Sequence, residues 1–144
     1  MPGGFAPVAN AGPCPCGGGA YASCCGPLHR GDRSAETAEQ LMRSRYAAFA
    51  RGEIDYLLAT HHEPERSESE RRRSLEFSCH RSRWLGLKII ATERGGPEDL
   101  EGIVRFEARH GDGVLTETSL FQRLDGDWLY IRAQELDHAV GTIK

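Results

Sequence analysis

Four of the five cysteines fall in two tight pairs near the start of the chain, Cys14 with Cys16 and Cys24 with Cys25. A closed structural zinc site takes four such sulfur ligands at tetrahedral corners. The C-x-C pair offers two sulfurs from one extended segment, and the adjacent pair offers two from a turn. Between the pairs, Gly17–Gly19 can adopt the positive φ angles that fold the chain back over an ion. The spacing therefore predicts one structural zinc ion per chain, bound by all four cysteines.

Other uses of these thiols are weaker interpretations. Two disulfides are an alternative, but the adjacent Cys24 and Cys25 rarely bridge each other and nothing in the sequence indicates export. A redox role is a further alternative, although reactive pairs usually have a C-x-x-C spacing that neither pair shows. His29 is an alternative ligand, yet four cysteines already complete the shell, so a surface position is predicted for it. Cys79 stands apart and is predicted to be an unpaired thiol.

The segment from Cys14 to Gly26, with Tyr21 between the cysteine pairs, resembles the SEC-C motif. This zinc-binding element occurs at the C-terminus of the SecA translocation ATPase and in many small bacterial proteins. The one departure is Gly18, where the motif usually has serine, and that position is not a ligand. The resemblance implies that Cys25 is the last ligand. It also implies a protein partner at the knuckle, since the SecA knuckle binds its export chaperone and the ribosome.

Composition narrows the classes of partner. The chain has 144 residues, a formal net charge of −3 and a pI near 6.1, which together do not favour nucleic-acid binding. The run Arg71–Arg73 suggests RNA binding as an alternative, but neighbouring glutamates cancel most of its field. No apolar run is long enough to span a bilayer, and a signal peptide is not recognisable at the N-terminus. Free thiols without an export signal predict a cytoplasmic protein with no membrane partner.

Helical periodicity follows the cysteine segment. A first helix, capped by Ser34 or Thr37, ends at Gly52; a shorter helix over 53–60 and a third over about 67–79 follow. The period then changes to two over four segments separated by turn residues: 84–92, 102–110, 114–124 and 128–133. Three helices followed by four antiparallel strands predict an α+β fold, with one face of the sheet on the helices.

A second resemblance covers most of the chain, to the YchJ family. It is carried by five segments: Leu41–Tyr46, Asp55–Thr60, Trp84–Leu87, Glu117–Phe121 and Gly126–Trp128. In that family a SEC-C knuckle precedes a domain similar to nuclear transport factor 2. The resemblance implies a cone-shaped, curved antiparallel sheet wrapped by about three helices, with a pocket inside. The family often reads T-W-H-P where this chain has Thr60–Glu63, so His62 is the only candidate site residue that the resemblance implies in this segment.

The two resemblances divide the chain into four predicted parts. A flexible tail covers residues 1–13, the zinc knuckle and its linker 14–33, the cone 34–136 and a C-terminal tail 137–144. Because the linker is short and polar and the cone has its own apolar face, the knuckle and the cone are expected to be energetically separable.

The inward face of the long strands and the first helix should line the pocket of such a cone. Strand alternation and family position predict an aromatic pocket with a few polar groups: Tyr46, His62, Trp84, Glu117, Ser119, Phe121 and Trp128. Glu117 and His62 are the candidate acid–base pair. The alternative is that Glu117 pairs with Arg105 or Arg132 while the aromatic residues only pack.

Three functions remain open at this stage. The leading interpretation is a zinc-binding adaptor, with a protein partner at the knuckle and a possible small-molecule ligand in the cone. The second is a small acid–base enzyme of the isomerase, dehydratase or hydrolase type. It is not favoured, because the sequence has no nucleophile motif, phosphate loop or hydride-cofactor fingerprint. The third is an RNA-binding accessory protein.

Overall fold

The computed structural model describes residues 12–81 and 83–139, with side chains for 12–80 and 83–134. After a short 3-10 turn at Tyr21–Ser23 come four helices and then four strands. The helices are α1 (Gly26–His29), α2 (Ala38–Arg51), α3 (Ile54–Ala59) and α4 (Glu68–Arg81). The strands are β1 (Trp84–Arg94), β2 (Glu101–His110), β3 (Gly113–Leu124) and β4 (Asp127–Ala139). They form one antiparallel sheet in sequence order.

Helix α2 lies against the sheet and begins and ends as its sequence predicts. The backbone N–H of Gln40 donates to Oγ1 of Thr37 at 3.0 Å, which is the side-chain cap of the first turn. Gly52 ends the helix with a φ of 76°, a left-handed conformation that glycine adopts without a Cβ penalty. The apolar face of α2 is fully buried at Ala47 and Ala48 and nearly so at Leu41.

The sheet presents its buried face to α2. Along β2, every second residue is buried, and these are Gly102, Val104, Phe106 and Ala108. The β3–β4 hairpin turns at Asp125 and Gly126, whose φ angles of 53° and 88° are those of the tight turn that matches strand twist. Register shifts interrupt the β1–β2 and β3–β4 pairings and bend the sheet around the helices.

The predicted α+β fold, a curved antiparallel sheet wrapped by helices, is confirmed. Strand β4 reaches Ala139, so it runs past the predicted strand end at Ala133 and into the predicted tail over 137–144. Continued pairing with β3, as far as Val114 opposite Ala139, explains the extension. Most of the tail predicted over 1–13, and residues 140–144, lie outside the described residues. Among the described residues, no helix is long and apolar enough to cross a membrane.

The knuckle is packed on the cone. The buried side chains of Cys14, Cys16, Tyr21 and Cys25 belong to the same apolar cluster as Leu41, Tyr46, Val104 and Phe121 of the helix and sheet. The guanidinium of Arg43 on α2 also donates to the carbonyl of Cys16 at 3.0 Å. These contacts argue against the energetic separability expected from the polar linker, because part of the knuckle's burial depends on α2.

Candidate functional site

The four knuckle cysteines converge on one point. The sulfur atoms of Cys14, Cys16, Cys24 and Cys25 all lie within 4.8 Å of one another. The Cys16–Cys24 and Cys24–Cys25 sulfur distances are 3.5 and 4.0 Å. A tetrahedral zinc ion with bonds of about 2.3 Å needs sulfurs about 3.8 Å apart. The cluster therefore fits a four-thiolate metal site, and it contains the ligand set that the spacing predicts.

The glycine-rich segment closes this cluster. The backbone N–H of Cys14 donates to the carbonyl of Gly19 at 2.7 Å, and Gly17 and Gly19 have φ angles of 87° and 122°. A Cβ on Gly18 would lie 3.0 Å from the sulfur of Cys24 and 3.2 Å from that of Cys16. Gly18 thus lies directly against the sulfurs, where even the small side chain that is usual in the motif is a close fit.

The sulfurs are electrostatically linked. Hydrogen bonds, first of all from the thiol of Cys25, lower the pKa of Cys16 to about 5, although burial opposes this. Burial, followed by the hydrogen bond with Cys16, raises the pKa of Cys24 to about 12. The thiol of Cys16 thus ionises more readily than that of Cys24, and a metal ion would displace the remaining proton of Cys24 on binding.

His29 is not a surface residue, in contrast to the prediction. The hydroxyl of Tyr21 donates to Nδ1 at 2.6 Å, and Nε2 lies 2.8 Å from the carbonyl of Ser44. Since a carbonyl only accepts, Nε2 carries the proton and Nδ1 is the acceptor. The ring of Tyr56 packs against the imidazole at a tilt of 60°, with centroids 4.8 Å apart, and its hydroxyl forms a hydrogen bond with that of Ser44 at 2.7 Å. His29 is a bridge between the knuckle and helices α2 and α3.

The cone contains a cavity of about 520 Å³ between α2, α4 and the sheet. This volume falls within the range of about 300–1,000 Å³ that small-molecule sites occupy. Six aromatic residues line it, together with charged residues that include Arg45, Asp112 and Glu117; the aromatic residues are Tyr46, Phe49, Phe77, Trp84, Phe106 and Tyr130. The indole N–H of Trp84 is buried without a hydrogen-bond partner among the described residues. Such a wall suits a flat, largely apolar molecule.

Glu117 is the polar centre of the cavity. Its Oε2 accepts a hydrogen bond from the hydroxyl of Ser119 at 2.6 Å and another from that of Tyr130 at 2.8 Å. Its Oε1 receives no hydrogen bond from the described residues, so it can accept one from a ligand. Burial, followed by the nearby Glu117, raises the pKa of Tyr130, which keeps that hydroxyl a donor.

Arg45 lies beside this carboxylate and was not predicted from the sequence. Only 5% of the residue is exposed, and its Nη1 donates to the carbonyl of Leu57 at 3.1 Å and the hydroxyl of Thr60 at 2.7 Å. Burial lowers the pKa of Arg45 to about 10, so it stays charged at neutral pH. The signal in the sequence is its spacing: Arg45 falls four residues after Leu41 and four before Phe49, within the apolar face of α2.

Four predicted pocket residues, Tyr46, Trp84, Glu117 and Ser119, line the cavity together, and three others do not. Phe121 is fully buried beneath α2. Trp128 faces the opposite side, where its indole N–H donates to the carbonyl of Glu36 at 3.2 Å. His62 is exposed, and its own backbone N–H donates to the carbonyl of Tyr130.

The proposed acid–base pair is therefore not found, because Glu117 and His62 line different cavities. It is the preceding His61 whose ring packs on Tyr130, with centroids 4.8 Å apart. The alternative pairing of Glu117 with an arginine is not found either. Among the described residues, Arg105 donates to the hydroxyl of Thr118 at 2.6 Å, on the other face of β3, and Arg132 is exposed.

Known proteins resemble this chain along most of its length. Residues 37–133 match the family described as YchJ, middle NTF2-like domain. A UPF0225 protein from Streptomyces coelicolor is 44% identical over 126 residues, which cover 87% of this chain and 97% of that protein. The solution structure of a SEC-C motif containing protein from Rhodopseudomonas palustris has a TM-score of 0.71 and 32% identity. The match covers 88% of this chain and 100% of the Rhodopseudomonas palustris protein's chain.

A crystal structure shows the same fold at lower sequence identity. A SEC-C motif containing protein from Psychrobacter arcticus has a TM-score of 0.70 and 23% identity, with 93% of this chain and 88% of that chain covered.

Proposed function

The chain belongs to the YchJ family, and from this premise we propose that it is a small-molecule binding protein whose cysteine cluster holds one structural zinc ion. The observation that carries the proposal is the aromatic cavity with Glu117 at its centre. The carboxylate is already held by two hydroxyl donors on Oε2, which leaves Oε1 for a ligand. A cavity that combines aromatic side chains with an oriented acceptor is an arrangement that fixes the orientation of a ligand.

The ligand chemistry follows from these walls. A flat ring packs between aromatic side chains such as Trp84 of β1 and Phe77 of α4, which both line the cavity. A hydroxyl or amine on that ring donates to Oε1 of Glu117, and a hydrogen bond to a charged acceptor is worth about 1.5–3 kcal/mol. We therefore infer a ring compound that carries a hydrogen-bond donor.

The experiment compares 2-naphthol with 2-methoxynaphthalene, which has a similar shape but no donor. Binding is followed by NMR at the indole N–H signals of the two tryptophans. Trp84 lines the cavity, whereas Trp128 donates to Glu36 outside it and serves as the internal control. We expect the Trp84 signal to shift, the Trp128 signal to stay, and 2-naphthol to bind about tenfold more tightly.

Substitution of the acceptor tests the role of the carboxylate. Glu117→Gln should remove most of the preference for 2-naphthol while 2-methoxynaphthalene binds as before, because the amide keeps the shape but not the charge. Equal shifts of both tryptophan signals, or no preference for the donor in the parent protein, would contradict the proposal.

The zinc ion and the knuckle have a supporting role in this proposal. The sulfur spacing fits zinc, and the SEC-C motif of the similar protein from Rhodopseudomonas palustris supports a metal at this place. A protein partner at the knuckle stays a proposal of the sequence. One side of the knuckle is packed on α2, so the exposed segment 17–20 is the side that a partner would contact. Pull-down with the full chain and a variant altered only in this segment tests it.

Neither alternative function gains support from the described residues. Acid–base turnover by Glu117 and His62 needs a shared cavity, which they do not have. RNA binding needs a cluster of free cations, but Arg72 is paired with Asp55 and Glu68, and Arg66 with Glu63. Arg71 lies near Glu63, so within this group only Arg73 is outside the described ion pairs.

A further inference from the structure

A second, smaller chamber adjoins the aromatic cavity. It has a volume of about 220 Å³ and lies between α2, α4, the loop after α3 and the ring of Tyr130. The two spaces share four wall residues, Arg45, Phe49, Ser78 and Tyr130, so they lie side by side. Charged residues form a larger share of its wall than of the cavity wall: Arg45, Glu63, Arg66 and Arg71.

The chamber has an excess of positive charge. Its wall contains three guanidinium groups, those of Arg45, Arg66 and Arg71, and a single carboxylate, Glu63. Both carboxylate oxygens of Glu63 accept hydrogen bonds from Arg66, at 2.7 and 3.2 Å, and its Oε1 also lies 3.6 Å from Nε of Arg71. Burial, followed by the charge of Arg45, lowers the pKa of His61 to about 4, so this wall imidazole is neutral at physiological pH.

Two of the three guanidinium groups have unused donors. Both hydrogen bonds of Arg45 leave from Nη1, and its Nε and Nη2 have no partner among the described residues. Arg71 donates through Nη2 to the carbonyls of Leu58 and His61, while its Nε is buried without a hydrogen-bond partner. Among the described ion pairs, none within 4.0 Å includes Arg45.

The charge of Glu117 acts on Arg45, but no carboxylate is in ion-pair contact with this buried guanidinium among the described residues. Such burial is costly, and an anion that accepts its free N–H groups lowers that cost. We propose that this chamber binds the oxyanion group of an organic acid, with Arg45 and Arg71 as its hydrogen-bond donors. The ring of the same molecule lies in the aromatic cavity. This inference rests on the proposed function and specifies its ligand class: ring compounds with a carboxylate or a similar oxyanion.

Guanidinium groups suit this role because their N–H groups match the two oxygens of a carboxylate. Glu63 limits the affinity of the chamber by repelling the incoming anion. The chamber therefore allows opposite predictions for two substitutions, one that removes a donor and one that removes the competing carboxylate.

The experiment measures the binding of 2-naphthoate and 2-naphthamide to the full-length, zinc-loaded protein by titration calorimetry. The two probes have nearly the same shape, but only the first is an anion and only the second has an N–H donor for Glu117, so tighter binding of the first cannot come from that carboxylate. We expect 2-naphthoate to bind at least about tenfold more tightly, because hydrogen bonds to a charged group are the stronger kind. The indole signal of Trp84 should shift with both probes.

Three variants identify the chamber as the anion site. Arg71→Gln should weaken 2-naphthoate about tenfold and leave 2-naphthamide within about twofold. Arg72→Gln is the matched control, because it removes the same charge from the next residue of α4 outside the chamber, and both affinities should stay within about twofold. Glu63→Gln should tighten 2-naphthoate at least about threefold, an effect that loss of structure cannot produce.

Three results would overturn the anion inference. Equal binding of the two probes leaves the cavity as a ligand site and overturns the anion inference. So does a loss in Arg72→Gln as large as that in Arg71→Gln, or weaker binding of 2-naphthoate to Glu63→Gln. A protein that binds 2-naphthol but neither of these probes contradicts the inference alone, and one that binds none of the three contradicts the proposed function as well.

Discussion

The hydroxyl of Tyr21 in the knuckle lies 2.6 Å from Nδ1 of His29, whose other ring nitrogen lies 2.8 Å from the carbonyl of Ser44 on α2. The same tyrosine ring is covered by the guanidinium of Arg51, the last residue of α2, at 3.7 Å from the ring centroid. Tyr21 is therefore linked to α2 in two ways, through His29 to Ser44 and directly to Arg51. Metal binding in the knuckle and stability of the cone should be coupled through it.

His29→Ala tests that coupling. The substitution removes both hydrogen bonds and leaves the Tyr21 hydroxyl unpaired, so the free energy of unfolding should fall by about 2–4 kcal/mol. Chelation of the metal should lower the melting temperature of the parent protein but have a smaller effect on His29→Ala, since the link is already broken. Urea and thermal unfolding measure both effects.

His80→Gln is the control for this prediction, because His80 is exposed on α4 and far in sequence from the knuckle. If chelation leaves the thermal transition of the parent protein unchanged, the knuckle and cone are separable, as the polar linker predicts.

Two cysteine variants test whether the cluster binds zinc. Cys24→Ser should lose near-stoichiometric zinc, because its sulfur lies 3.5 Å from that of Cys16 within the cluster. Cys79→Ser should keep the metal, since Cys79 lies on α4 outside the cluster. Elemental analysis of the purified variants gives the answer. Equal loss of zinc from both would exclude the four-cysteine site.

Local spacing explains why much of this structure was predictable. The caps of α2 at Thr37 and Gly52 depend on neighbouring residues alone. So does the Asp125–Gly126 hairpin, and so do the four cysteines, whose separations already limit how the chain can close over an ion. The strands follow from alternation; β1 was predicted two residues too short and β2 and β3 one residue, whereas β4 extends six residues past its predicted end.

The polar part of the cavity depends on contacts between distant segments, and sequence spacing does not fix those. The loop after α3 pairs with β4 in a parallel bridge between His61 and Tyr130. A shift of one residue in such a pairing exchanges the side chains on its two faces, which is why His61 and not His62 contacts Tyr130. Arg45 was missed for a similar reason: its burial depends on the ends of α3 and β4 that meet over it.

Close backbone packing supports the start of α2 and gives a further prediction. A Cβ on Gly102 would lie 2.4 Å from Cα of Gly95, and the carbonyl of Gly95 accepts the backbone N–H of Ala38 at the start of α2. Gly102→Ala should therefore destabilise the protein by about 2–3 kcal/mol. Gly86→Ala in β1 is the matched control, because nothing lies within 4 Å of its added Cβ, and it should be close to neutral. Urea unfolding measures both, and equal effects would contradict the packing argument.

The last prediction concerns pH and His61. Burial, followed by the nearby Arg45, lowers the pKa of His61 from 6.5 to about 4, with Arg71 acting in the same direction and Glu63 opposing it. Between pH 6.5 and about 4 the imidazole takes up a proton more readily in the unfolded chain than in the folded one. The contribution of neutral His61 to stability is therefore fully present above pH 6.5 and is lost as the pH falls toward 4.

We expect the free energy of unfolding to fall by roughly 1–2 kcal/mol between about pH 7 and about pH 5 because of this group, after allowance for solvent screening. His61→Gln should remove that part of the pH dependence in urea unfolding, because the amide does not titrate. His62→Gln, one residue further along an exposed stretch, should keep the pH dependence of the parent protein. If the two variants have the same slope, the imidazole of His61 is not held neutral by its burial against Tyr130 and the arginines.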